Sequence, residues 1–340
     1  MPLCNCFASM AGRNDSHTSA LLMTKLSTVL VGVVLAGAGF TGCTTVGIYQ
    51  DPVARFQTAV NTANDAVRPY LLGVNDLNAK ANLYDKIALN LPWGTEDLTN
   101  AIPPAEIQVR LQALACVGSY ANALAAVATS ADTANLTQAA GALGDSVNGL
   151  SGTIQGLAAI RARGGANSPV AKQAASLDLG APVTALVNLV GTLAIEHAQT
   201  KAVQAAILNG EQPINQLIGL LKTDLQNLTV VDDAAYASIK TGMVLLYNNA
   251  RAKTDAKDLA PLIDEFLRDN DKIETLRALQ VDSLLSDMQG AHSALVTFAK
   301  SSKSPQDLAQ LASQIDVFTA HVALFAAAVS SVKTTINATH

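Results

Sequence analysis

The chain is expected to fold as an all-α, elongated antiparallel bundle of about six or seven helices with coiled-coil-like packing. Three observations carry that expectation. Apolar residues recur at alternating steps of three and four over long stretches. Clusters of Gly, Pro, Asn, Asp and Ser separate those stretches, and no segment alternates polar and apolar residues long enough to argue for a sheet. Composition agrees: hydrophobic residues make up 49% and aromatics 4% of the 340 residues, so the core must be built from Ala, Leu, Val and Ile.

The elements follow in order. Val53, Phe56, Val60, Ala63, Val67, Tyr70, Val74, Leu77, Ala81, Tyr84 and Ala88 keep the three-four alternation without a break. They predict a first helix over 51–88, roughly 55 Å long, with Asp51 as N-cap and Pro52 as its first residue. Pro69 falls inside the run, and the unbroken register predicts a kink there, not a stop. A second helix is marked by Ile107, Leu111, Leu114, Gly118, Ala121 and Leu124, and a third by Leu136, Ala140, Leu143, Val147, Leu150, Ile154 and Leu157. The third also holds Gly141, Gly144, Gly149, Gly152 and Gly156, each costing about 1 kcal/mol relative to Ala. Either a neighbouring helix approaches closely there, or the element is weak and mobile. Further helical stretches cover approximately 182–208, 213–252, 257–267 and 271–300. The last helix carries Leu308, Leu311, Ile315, Phe318, Val322, Phe325, Val329, Val332 and Ile336, opened by Ser304 as N-cap, Pro305 and Asp307. Turn signals between helices are "LPWGTEDLTNAIPP", "TSADTAN", "RARGGANSP", "LGAP", "NGEQP" and "KSSKSP".

Ahead of the bundle, "VLAGAGFTGC" (Val34–Cys43) reproduces with Gly37, Gly39 and Gly42 the glycine spacing of a dinucleotide-binding turn. Such a turn must open a helix whose amides hold a pyrophosphate, inside a strand–helix–strand unit. Here it runs into "CTTVGIYQDP" instead, so no cofactor is expected. Lys25, the apolar run Leu26–Phe40 and the small Thr41 and Gly42 before Cys43 have the layout of an export signal, too short to span a bilayer.

The segment resembles a bacterial lipoprotein signal peptide, in which a small residue precedes the cysteine that becomes acylated. "FTGC" departs from the family pattern at Phe40, where Leu is commonest. The resemblance implies that Cys43 becomes the first residue of the mature chain and carries two or three acyl chains, enough for permanent anchoring. Thr44 stands where an aspartate favours the inner membrane in that family, which implies the outer membrane, facing the periplasm. The expected organisation is a non-native extension over 1–22 with Met23 as the true start, a signal over 23–42, a tether over 43–50 and the bundle over 51–340.

Removal of residues 1–42 takes Arg13, Lys25 and Asp15 and leaves 20 of the 22 basic and 26 of the 27 acidic residues. Lysines and arginines are scattered among acids, so no nucleic-acid partner is expected. Cys116 alone of the four cysteines would remain unmodified, in the apolar stretch "LQALACVGSY". It reads as a buried small hydrophobe.

Catalytic and metal constellations are missing. His197, His292, His321 and His340 have neither a histidine nor a carboxylate three or four residues away, and His197 and His321 read as hydrogen-bonded within the bundle or at its surface. "DNDKIE" (Asp269–Glu274) lacks the glycine and later acid of a calcium loop and reads as a solvated, salt-bridged helix face. Ser330 and Lys333 match Ser-x-x-Lys without companion motifs. "RARGGANSP" either holds an anion through Arg161 and Arg163 or is a flexible loop, and the sequons at Asn135, Asn227 and Asn337 carry no weight in a bacterial cell. "NLPWGTEDLTNAIPP" is long for a bundle connection, and its Trp93, the only tryptophan, either packs over the end of the bundle or serves as a partner-docking anchor.

The function these readings favour is non-enzymatic: a lipid-anchored bundle acting on other envelope proteins as scaffold, adaptor or assembly factor. A periplasmic small-ligand binder and a membrane-active protein are the alternatives, the last because of "FTAHVALFAAAVSSV" near the C-terminus.

Overall fold

The structure, a computed structural model, describes residues 47–98, 100, 102–129, 133–164, 182, 184–185, 188–189 and 199–337. These hold seven α-helices: α1 (Gln50–Ala88), α2 (Pro104–Thr129), α3 (Thr133–Gly164), α4 (Gln199–Arg251), α5 (Ala256–Ala278), α6 (Val281–Lys300) and α7 (Pro305–Asn337). Two 3-10 turns, Gly47–Tyr49 and Thr95–Leu98, complete them. No strand occurs among the described residues. The fold is all-α, built by packing helix on helix.

The regular seams form the core. Every α1 seam residue from Val53 to Tyr84 is buried, as are Leu311, Ile315, Phe318, Val322, Phe325, Val329 and Val332 of α7. One large cluster gathers residues of all seven helices, α5 contributing Leu276. A smaller cluster of Leu77, Ala81, Tyr84, Tyr236, Ile239, Met243 and Ile273 joins the last turns of α1 to α4 and α5.

Helix starts differ from expectation in one case. α1 begins at Gln50 after Tyr49, which supplies no side-chain cap. Asp51 is therefore not the N-cap; it lies in the first turn, where its charge still favours the helix dipole. Tyr49 is fully buried against Phe298, ring edge to face at 5.3 Å, so the bundle begins ahead of Asp51. At α7 the expected cap is present. The Asp307 amide donates to Ser304 Oγ (3.2 Å) and the Ser304 amide to Asp307 Oδ2 (2.9 Å), a reciprocal cap that holds the Asp307 carboxyl below its usual range through the Ser304 amide.

Helix boundaries differ in three more places. "NGEQP" is not a turn: α4 runs straight through it, with Pro213 inside. Gly210 is there for packing, because a Cβ on it would sit 2.6–2.7 Å from the Tyr120 ring and hydroxyl. Residues 268–270 do not separate two helices either; α5 continues to Ala278 and the break falls at Leu279–Gln280. Leu279 is extended (φ −78°, ψ 98°). Finally, α3 remains helical through Gly164 and takes in Arg161 and Arg163.

Directions follow from side-chain pairs. Neighbours in sequence are antiparallel in α1–α2 (Asn75 to Ile102, Gln57 to Asn122), in α2–α3 (Ser119 to Ser146, Gln112 to Thr153) and in α6–α7. α2 and α4 are antiparallel too, through Arg110–Asp224 and Tyr120–Gly210. Hence α1 and α4, both antiparallel to α2, run parallel to each other. α7 also runs parallel to α1: Arg55 pairs with Asp316, Phe56 faces Phe318, and Tyr70 faces Phe325.

Among the described contacts, the expected approach of a neighbouring helix to the α3 glycines is met only at Gly149, where a Cβ would lie in ordinary contact with Gln112 of α2 (3.8 Å). A Cβ on Gly141 or Gly152 would meet nothing within 4 Å. Gly141 and Gly152 face open space, so helix contact does not account for those two.

Candidate functional site

The C-terminal end of α1 presents the densest set of exposed apolar side chains. Leu83, Ile87, Leu89, Leu91 and Trp93 are each between 40% and 59% exposed. Local chemistry holds them in place. Leu89 and Leu91 amides close the helix on Asp85 and Lys86 carbonyls (3.0 and 2.9 Å), and Asn90 takes a positive φ of 52° to reverse the chain. Lys86 Nζ donates to the Pro92 carbonyl (3.2 Å) and pairs with Asp97 (3.0 Å). The Gly94 amide donates to Asp97 (2.8 Å), and that bond, before Lys86, keeps the Asp97 carboxyl below its usual range. Farther along, Asn75 exchanges two hydrogen bonds with the Ile102 backbone (2.9 and 2.8 Å). The loop is thus tied on both sides of Trp93. The tryptophan is 48% exposed, so about half of its surface is covered by the protein and half faces solvent.

Three buried polar clusters were not foreseen. The Arg110 guanidinium, 3% exposed, donates to both carboxylate oxygens of Asp224 (2.5 and 2.9 Å) and lies 3.5 Å from Glu106. His292, fully buried, links two helices: Tyr120 lies 3.1 Å from Nε2 and Asn215 Oδ1 lies 3.0 Å from Nδ1. An amide oxygen only accepts, so Nδ1–H donates to Asn215 and Nε2 receives the Tyr120 hydroxyl. Burial pushes the imidazole down to about 3 and raises the Tyr120 hydroxyl. Asp269, expected on a solvated face, is 3% exposed. It accepts from Tyr84 (2.9 Å) and Lys80 and pairs with Lys272 (3.7 Å).

The sequence did contain a signal for these residues. Asp224 follows Leu217 and Leu221 and precedes Leu228 in three-four steps, and His292 interrupts Leu285, Met288 and Leu295 in the same way. Arg110 sits between Ile107 and Leu114, Asp269 between Phe266 and Ile273. A polar residue in a seam position must find a buried partner.

Beside the Asp269 cluster lies a cleft of about 320 Å³. Gly73, Leu77, Leu276 and Val332 form its apolar floor, with Asp76, Lys80 and Lys272 at its mouth. Desolvation raises the Asp76 carboxyl despite both lysines. The chemistry suits a small molecule with an apolar body and a polar end.

The remaining sites are quickly placed. Cys116 is buried, and burial pushes its thiol up to about 12, so it stays protonated. His321 Nδ1 contacts Asp287 Oδ2 at 2.7 Å. Ser330 is exposed on α7. Cys43, His197, His340 and the side chains of Arg161, Arg163, Asn227, Lys333 and Asn337 lie outside the described residues. Among the described residues no three His, Cys, Asp or Glu side chains converge as metal ligands. No protein-family model, curated protein or solved structure matches the chain.

Proposed function

We propose that the chain is a lipoprotein, tethered through acylated Cys43 to the outer membrane and facing the periplasm, whose helical bundle works through contacts with other envelope proteins. The role is that of scaffold, adaptor or assembly factor, without catalysis. One observation supports the contact reading most directly: Trp93 and its apolar neighbours are held half in solvent by a loop that Lys86 and Asp97 tie down on both sides of the tryptophan. Tryptophan is among the side chains that most often dominate a protein interface. The test uses the native lipoprotein as bait in a pull-down from detergent-extracted membranes, beside Trp93→Ala. Envelope proteins retained by the wild type and lost by the variant, at equal melting temperature, support the reading. Equal retention by both removes Trp93 as the anchor, and an unmodified Cys43 thiol in intact-mass analysis removes the tether.

Small-ligand binding is the second reading, and the cleft over Gly73 and Leu276 favours it. Its mark would be a copurifying small molecule whose removal lowers the melting temperature.

A further inference from the structure

The apolar core divides into two clusters, and the cleft lies at the division. Leu276 and Val332 belong to the large cluster, Leu77 and Ile273 to the smaller one, and all four line the same void of about 320 Å³. Gly73 keeps its floor open. Glycine costs about 1 kcal/mol relative to Ala inside a helix, and a Cβ on Gly73 would already press on both Leu276 methyls at 3.3 Å. At about 30 Å³ per water-sized unit, the void holds about ten non-hydrogen atoms.

The charges at its mouth are unevenly paired. Lys80 and Lys272 both turn to one oxygen, Oδ1 of the buried Asp269, whose Oδ2 accepts from Tyr84. Lys80 is hydrogen-bonded there. Lys272 stands 3.7 Å away, too far for a hydrogen bond. Its ammonium finds no acceptor among the described residues, although its side chain is only 18% exposed. Asp76 has the opposite lack. Among the described residues it forms neither a hydrogen bond nor an ion pair, and both lysines act on it only through space, against the desolvation that raises its carboxyl. The mouth thus holds a cation in need of an acceptor and an anion in need of a donor, beside an apolar floor.

We infer that the cleft binds a free α-amino acid with an apolar side chain, of the size of leucine or methionine. Its carboxylate accepts from Lys272, its ammonium donates to Asp76, and its side chain lies on Leu77, Ile273 and Leu276. A simple anion would set its charge against Asp76, and a simple amine would leave Lys272 without an acceptor, so each would desolvate a charge without compensation. Net charge agrees. Two lysines and two aspartates cancel, and a zwitterion leaves that balance unchanged.

This inference rests on the small-ligand reading of the cleft and names the ligand class. The test is isothermal titration calorimetry of the dialysed full chain in detergent with L-leucine, isocaproate, which lacks the amine, isoamylamine, which lacks the carboxylate, and glycine, which lacks the side chain. Leucine should bind with a Kd of about 100 µM or below, and each of the others at least about tenfold more weakly. Lys272→Gln leaves Asp269 to Lys80 and Tyr84, and Asp76→Asn changes an exposed residue. Each should weaken leucine binding at least about tenfold with unchanged helical circular dichroism. Ala79→Phe, at the exposed rim, should block binding without altering either charge. Absence of leucine binding overturns the inference, as does leucine binding that both charge variants retain. Isocaproate or isoamylamine binding as tightly as leucine overturns it too, yet keeps the cleft as a small-ligand site. Failure of all four probes, with no small molecule in extracts of the purified protein, removes both.

Discussion

Acidification from pH 7.5 to 5.0 should weaken the bundle through His292. The imidazole is fully buried, its two nitrogens are matched to Tyr120 and Asn215, and burial holds it near 3 in the folded state. In the unfolded chain it returns to about 6.5. Between those values the unfolded state binds one more proton than the folded state, so stability decreases as pH falls. The contribution is complete above about pH 6.5 and is lost progressively on the way down to about 3. One unit corresponds to about 1.4 kcal/mol, which gives a loss of about 2 kcal/mol at pH 5 and about 5 kcal/mol over the whole interval. Urea unfolding followed by circular dichroism at both pH values measures it, in wild type and in His292→Gln. Carboxylates titrate alike in the two chains, so the difference between the two pH-dependent losses isolates the histidine. Equal losses, within about 0.5 kcal/mol, would refute the claim that His292 is held neutral by the fold.

Other substitutions test the packing. Arg110→Ala leaves Asp224 and Glu106 buried without their cation and should cost about 3–5 kcal/mol in urea unfolding. Gly242→Ala places a Cβ 2.6 Å from Tyr84 Cβ and 3.1 Å from its backbone carbon, so the melting temperature should drop by the equivalent of about 1–3 kcal/mol. Gly141→Ala meets nothing and should instead stabilise the protein by about 1 kcal/mol through helix propensity. Tyr49→Phe removes a buried hydroxyl that has no partner in the protein while keeping the ring on Phe298, so thermal unfolding should show no loss of stability.

How the sequence encodes this architecture differs between its apolar and polar parts. Seams such as Val53–Tyr84 and Leu311–Val332 were legible because burial of one face imposes a period that a single segment displays by itself. Breaks were less legible. The α5–α6 break at "ALQVD" contains neither Gly nor Pro, and "NGEQP", which contains both, is helix, because Gly210 answers to the ring of Tyr120 from another helix. Punctuation residues report a local conformation or a distant neighbour, and one segment cannot say which.

Pairing was the least legible feature, and the buried polar residues explain why. An apolar seam accepts any other apolar seam, so Leu and Ala do not decide that α1 runs parallel to α7 or that α4 lies on α2. Arg110 is satisfied only where Asp224 comes level with it, His292 only between Tyr120 and Asn215, and Asp269 only beside Lys80 and Tyr84. A slip of one helical turn would bury each of these groups without a partner, at a cost of several kcal/mol. Register and direction therefore reside in a few polar positions inside the seams. Each is visible in the sequence as an interruption, but its partner lies more than a hundred residues away for Arg110, Tyr120 and Lys80 alike.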